Sequence, residues 1–228
     1  MAEPAFDPTA WPRRLNLGCG WDLREGYVNV DFADHHHPDL VADVRDMPML
    51  PDGFYEEIVA QDVLEHLTRA DGPVALAEWS RILADGGKLL IRVPNLLGLA
   101  NVFTWKKSIA EQDELVQCLF GTQAYNGDFH QNGYTELLLR NQLRDVGFGQ
   151  IDITPHDEWL FDVVAVKVPV VGELSWDDCI YMTAELPSAV HQRQREGGTA
   201  PAAPAPAPPA AASPVDRVKR KVEQLRRR

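Results

Sequence analysis

Apolar positions along the chain follow two periods. Short runs rich in β-branched and aliphatic residues recur: RRLNLG, YVNVDF, DLVADV, EEIVAQD, KLLIRVP and, late in the chain, WLFDVVAVKV. Each is bounded by turn formers, which is the pattern of strands. Between them the spacing becomes helical. In GPVALAEWSRIL, the residues Val74, Leu76, Ala77, Trp79, Ile82 and Leu83 form a broad apolar stripe. TELLLRNQLRDVGF opens on Thr135, a good N-cap, and ends at Gly147, suited to the left-handed position after a helix. Strands alternating with helices predict an α/β domain with a doubly wound, mostly parallel sheet and helices on both faces. Ligands of such sheets bind beyond the carboxyl ends of the strands.

Punctuation sets the boundaries. Residues 1–12 read as an irregular arm broken by Pro4, Pro8 and Pro12. The α/β pattern runs over 13–170, and residues 171–198 form a C-terminal extension. Residues 199–214, TAPAAPAPAPPAAASP, are a semi-rigid Pro/Ala linker. Residues 215–228 regain helical periodicity through Val215, Val218, Val222 and Leu225, as a basic amphipathic helix. Within the main domain, the stretch from about 95 to 134 follows the fifth strand and is longer than connections in compact domains usually are. It is read as an irregular lid.

Composition narrows the functional classes. The hydrophobic fraction of 45% supports a real core. No run of about 18 apolar residues offers a membrane span, and MAEPAFDPTAWPRR lacks the pattern of a secretory signal. The three cysteines, Cys19, Cys118 and Cys179, form no CxxC pair, which argues against a disulfide framework or zinc site and fits a cytoplasmic location. The net charge is −12, and the tail 215–228 carries seven Arg or Lys against two acids, leaving −17 on the rest. That acidic body disfavours nucleic acid and suits a small acceptor. The basic tail has three readings: a solvated helix, a short coiled-coil seam with a protein partner, or peripheral contact with a membrane.

The chemistry begins where the first strand ends in Asn16-Leu17-Gly18-Cys19-Gly20. A glycine turn at a strand tip lets backbone approach a ligand closely. The third glycine of GxGxxG is missing and no phosphate-loop lysine follows, so the turn suits a ligand without a diphosphate. The second strand ends at Asp31, whose carboxylate can accept both hydroxyls of a ribose. Phe32 follows and could pack on an adenine face. Asp43-Val44 stand where an acid could read an adenine amino group, and Gln61 ends the fourth strand.

LNLGCG, VNVD, ADV, QDVLEHL and EWSRILADGGKLLIRVPN, in this order, resemble the successive motifs of class I S-adenosylmethionine-dependent methyltransferases, and within them the methyltransferase type 11 group. The likeness covers about residues 13–168 and is closest to small methyltransferases associated with bacterial polysaccharide and glycan genes. It implies a Rossmann-like fold with S-adenosyl-L-methionine as cofactor. Gly18, Cys19 and Gly20 would pass its amino-acid moiety, Asp31 hold the ribose, Asp43 and Val44 read the adenine edge, and Gln61 lie along it. Two features depart from the pattern. Asn16 stands where the group has an acid, and the short spacing from Gly20 to Asp31 implies a first crossover helix shortened to about a turn.

Two histidines are candidate catalytic groups. His130, in the lid, is read as the base that activates an acceptor, or as a residue that only fixes the loop. His66 either faces the site or orients its helix. Trp105, Tyr125, Asp128 and Tyr134 are candidate substrate contacts. The run His35-His36-His37 is read as a solvated loop and no metal is expected, since three consecutive side chains cannot point one way. A histidine base favours transfer to a hydroxyl of a sugar, glycan or other small polar acceptor. The alternatives are an N-methyltransferase and a non-catalytic module recruiting partners through the tail.

Overall fold

The computed structural model describes residues 10–176 and residue 179. Most of the arm, the C-terminal extension, the Pro/Ala linker and the basic helix lie outside the described residues. Seven strands form one sheet in the order β3-β2-β1-β4-β5-β7-β6: β1 Arg14–Leu17, β2 Val28–Asp31, β3 Leu40–Val41, β4 Tyr55–Gln61, β5 Leu83–Pro94, β6 Gln150–His156 and β7 Leu160–Val166. The first five are parallel, and β7 runs antiparallel between β5 and β6. The chain therefore reverses between β1 and β4, leaving the tips of β2, β1 and β4 side by side at the crevice where such sheets bind ligands.

β6 is the strand that periodicity does not disclose. QIDITPH contains Pro155, which cannot donate to a ladder, and such a strand is tolerated at a sheet edge. β6 occupies that edge and pairs with β7 through a tight hairpin in which Asp157 and Glu158 have positive φ.

The core sits on one side of the sheet. Leu15, Leu17, Val28, Val30, Ile58, Ala60, Leu89, Ile91 and Val163 share that face and pack against α1 Asp71–Ile82 and α4 Glu136–Asp145, through Leu76, Trp79, Leu139 and Leu143. Thr135 caps α4 by accepting from Leu138 N–H, and Gly147 follows it with φ 99°. Trp79 is fully buried and its indole N–H donates to Val44 O at 2.9 Å, anchoring the chain after β3 to α1.

Both α1 and α4 pack on this face. The other face carries the alternate, polar positions of the strands: Asn16, Asn29, Glu57, Gln61, Arg92 and Asp162. These pair with one another and with turns. Asn16 Nδ2 donates to Asn29 Oδ1 at 3.0 Å, and Arg92 Nε to Asp162 at 2.7 Å. Residues 18–27, between β1 and β2, are turns with no helix, and Arg24 reaches from them to Gln61 Oε1 at 2.8 Å.

The stretch after β5 is more regular than expected. Asn95 caps α2 Leu96–Trp105, and a Ser108/Glu111 capping box starts α3 Ile109–Phe120. The two helices share a small apolar cluster of Leu99, Val102 and Leu115, with Trp105 and Trp159 against it. Residues 106–108 and 121–134 remain irregular, apart from a bridge at Tyr134. Among the described residues no helix is long and apolar enough to cross a membrane.

Trp79→Ala removes the largest side chain of the one-sided core and a buried hydrogen bond. It is expected to cost about 3–5 kcal/mol in denaturant unfolding. A loss under about 1 kcal/mol would show that the core does not depend on this contact.

Candidate functional site

The crevice is built from the turn after β1. Gly18 and Gly20 have φ of 57° and 50°, the left-handed region that glycine enters without cost. A Cβ on Gly18 would lie 2.7 Å from Val63 Cγ2, so the turn fits closely against the segment after β4, whereas a Cβ on Gly20 would meet nothing within 4 Å. Backbone at Gly20 is thus open to a ligand.

The turn is held by the tip of β2. Gly20 N–H donates to Asp31 Oδ2 at 2.8 Å, Ala33 N–H donates to Oδ1 at 2.9 Å, and His36 Nδ1 lies 3.2 Å from the same Oδ1. Cys19 N–H adds a bond to Val30 O at 3.0 Å. Asp31 is only 3% exposed. A carboxylate has room for about four partners, so it can still accept a ribose hydroxyl, but only as its covering shifts. That covering corrects the reading of the histidine run. Residues 34–36 form a 3-10 turn, His36 is buried, and its ring stands 4.9 Å from that of Trp21 and 3.9 Å from that of His35. Burial, reinforced by Asp31 and Asp39, pushes the Cys19 thiol up to about 12. Cys19 therefore stays protonated at neutral pH and serves the turn by its small size.

Phe32, 61% exposed, extends from the tip of β2. Open backbone at Gly20, a carboxylate at the next strand tip and an exposed aromatic ring beyond it fit an adenosyl group carrying an amino-acid arm. Other expected contacts are committed elsewhere. Asn16 turns to the second face and donates to Asp22 O and Asn29, so it holds the crossover. Asp43 is gripped by Arg45, whose hydrogen bonds hold its carboxyl below the usual range. Val44 offers its carbonyl to Trp79, and Gln61 accepts from Arg24. Asp62, next after Gln61, has φ 56°, an unusual conformation of the kind that gathers at functional sites.

The segment 121–131 bridges the crevice. At one end Gly127 lies so close to Phe32 that a Cβ there would sit 2.8 Å from Phe32 Cζ and 2.7 Å from the Tyr125 ring. At the other end Gln131 N–H donates to Glu65 O at 2.7 Å, and Gln131 Nε2 donates to His66 O at 2.9 Å. This brings both histidine candidates together: the rings of His66 and His130 are 4.8 Å apart, edge to face. His66 Nδ1 is 3.2 Å from Phe129 O. Glu65, which the sequence reading passed over, lies beside them, and one ligand atom from each of Glu65, His66 and His130 falls within 4.8 Å of the others. Its adjacency to His66 in the EH dipeptide was the available signal.

The substrate candidates divide. Tyr125 belongs to the bridging segment, and its ring, like that of Phe32, closes on Gly127. Trp105 packs in the small cluster of α2 and α3, with Lys106 4.6 Å over its ring. Two expectations are corrected. Tyr134 is 0% exposed in the main core, its hydroxyl accepting from Asn132 Nδ2 at 2.9 Å, and burial pushes its pKa far up. Asp128 is 4% exposed and accepts from the Thr122 hydroxyl, closing its own turn.

Residues 12–91 match the family model described as a methyltransferase domain. No curated protein matches the sequence significantly. Among solved structures, a possible exported protein from Bordetella parapertussis aligns with a TM-score of 0.51 and 14% identity over 69% of this chain and 62% of its own length, so the chain spans less than two thirds of that relative. The PH0226 protein from Pyrococcus horikoshii aligns with a TM-score of 0.50 and 15% identity over 68% of this chain and 81% of that one. A SAM-dependent methyltransferase from Archaeoglobus fulgidus aligns with a TM-score of 0.48 and 15% identity over 69% and 86%. At these identities the likeness concerns the fold.

Alanine in a left-handed position costs roughly 1–2 kcal/mol. Gly20→Ala should lose about that much in denaturant unfolding, and Gly18→Ala more, because Val63 must also move. A milder effect at Gly18 than at Gly20 would contradict the close fit of the turn.

Proposed function

We propose that this chain is a class I S-adenosylmethionine-dependent methyltransferase that moves the cofactor's methyl group to a hydroxyl of a sugar, a glycan end or another small polar acceptor; the match of residues 12–91 to a methyltransferase-domain model supports the first part of that reading. The observation that carries the reading is the meeting of His66 and His130 on a segment three residues beyond Val63, which itself touches the glycine turn. Two imidazoles beside the cofactor turn suit an acceptor that must lose a proton, as a hydroxyl must. A neutral amine has no such need.

When bound, the cofactor supplies an electrophilic methyl on a positively charged sulfur, displaced in line. The chain supplies the rest. Gly20 leaves its backbone open to the amino-acid arm, Asp31 holds the ribose, and Phe32 offers a face to the adenine. Residues 125–131 bridge the crevice from Phe32 to Glu65 and His66 and so restrict water. The acceptor hydroxyl lies beside the histidine pair, where its proton is drawn off, and this proximity and alignment supply much of the rate. The −17 charge outside the basic tail favours a small acceptor over an extended phosphate backbone.

The test is transfer of labelled methyl from the cofactor to a panel of glycosides and other polyols, with the product analysed for O–CH3. His130→Ala should lower kcat by about 10²–10⁴-fold while S-adenosylhomocysteine binds as before. Label found only on nitrogen acceptors, or a kcat unmoved in His130→Ala, would overturn the reading.

A further inference from the structure

We propose that Glu65, His66 and His130 form a binding site for one divalent transition-metal cation at the acceptor end of the crevice. The inference rests on the reading above for its purpose, but not for its geometry. One carboxylate and two imidazoles is a donor set that suits zinc, manganese, iron or cobalt ions and leaves coordination positions for other oxygens. Their ligand atoms lie within 4.8 Å of one another. Atoms bound to a common ion at about 2.1 Å sit roughly 3–4 Å apart, so a side-chain adjustment of about an ångström closes the site.

Two further observations point the same way. His66 Nδ1 faces Phe129 O at 3.2 Å, and a carbonyl only accepts, so Nδ1 carries the proton and Nε2 keeps the lone pair. A ring N–H held by a backbone carbonyl is the usual support of a metal-binding histidine, since it fixes tautomer and orientation. Glu65 is 1% exposed, a burial that favours a positive partner for its charge. The halves of the site are stapled together: Gln131 N–H and Asn132 N–H both donate to Glu65 O, at 2.7 and 3.2 Å, and Gln131 Nε2 donates to His66 O. His130 is placed in turn by its own N–H, which donates to Phe120 O at 3.0 Å.

A cation here explains how the acceptor hydroxyl is activated. Its oxygen binds in an open coordination position, its pKa falls, and its proton passes to water near neutral pH. The O–C bond then forms as the C–S bond breaks, and the electron pair stays on sulfur. A cation with open positions favours acceptors carrying two adjacent oxygens, such as vicinal diols or α-hydroxy acids. The two imidazoles then serve the removal of the proton as ligands: the cation they hold lowers the pKa of the hydroxyl, and water takes the proton.

The test uses the full chain without a histidine tag, stripped with chelator and titrated calorimetrically with Zn²⁺, and with Co²⁺ followed by its visible absorption. One site is expected. His66→Ala, His130→Ala and Glu65→Gln should each weaken it by about tenfold or more, whereas the paired change His35→Ala, His37→Ala should leave it unchanged. S-adenosylhomocysteine affinity, measured on the same samples, reports that each variant is folded. Asp31→Asn should lose the nucleoside while keeping the metal, so the two readings fail separately. Absence of binding, or loss that follows His35 and His37 instead, would overturn the proposal.

Discussion

The bond from Gly20 N–H to the buried Asp31 carboxylate is the constraint on which the site depends. A carboxylate this deeply covered is tolerated only when donors surround it, and the backbone at Gly20 and Ala33 supplies two, with the His36 ring beside them. The same bond fixes the glycine turn after β1 against the tip of β2, where no helix joins the two strands. Residues 18–27 contribute almost nothing to the main core, so bonds of this kind define their path, together with those from Asn16 to Asp22 and from Arg24 to Gln61. The group expected to hold a ribose is thus also the group that shapes the turn.

The one-sided core extends this logic to the whole sheet. Among the described residues, α1 and α4 cover the apolar face, and polar positions of the opposite face bond to one another and to turns. Polar strand positions such as Asn16, Asn29 and Gln61 therefore carry structural hydrogen bonds. On the rim, residues 121–131 run from Phe32 to His66. This segment links Phe32, at the tip of β2, to the Glu65, His66 and His130 cluster.

Most of the fold was legible. Strand periodicity located six strands, and the Thr135 cap and Gly147 located the ends of α4, because these signals are local. β6 escaped because Pro155 breaks the strand pattern and only the edge position makes it acceptable. The helices after β5 escaped because α2 is apolar on several sides and α3 buries only Leu115 fully, so neither shows a clean stripe. At the site, glycines and strand-tip acids were readable as types. What periodicity could not show was where a side chain turns. Tyr134 points into the core and Asp128 into its own turn, His36 folds under Trp21 beside Asp31, and Arg45 claims Asp43. Nor could spacing alone bring His130 to His66, which are 64 positions apart in the chain and meet only through the bridging segment.

The central claim is that the glycine turn and Asp31 form a nucleoside-binding site, and calorimetric titration with S-adenosylhomocysteine tests it most directly, on wild type and Asp31→Asn side by side. The account predicts binding in roughly the micromolar range for wild type and a loss of at least about tenfold in Asp31→Asn. Equal affinity in the two proteins, or no binding to wild type, would contradict it.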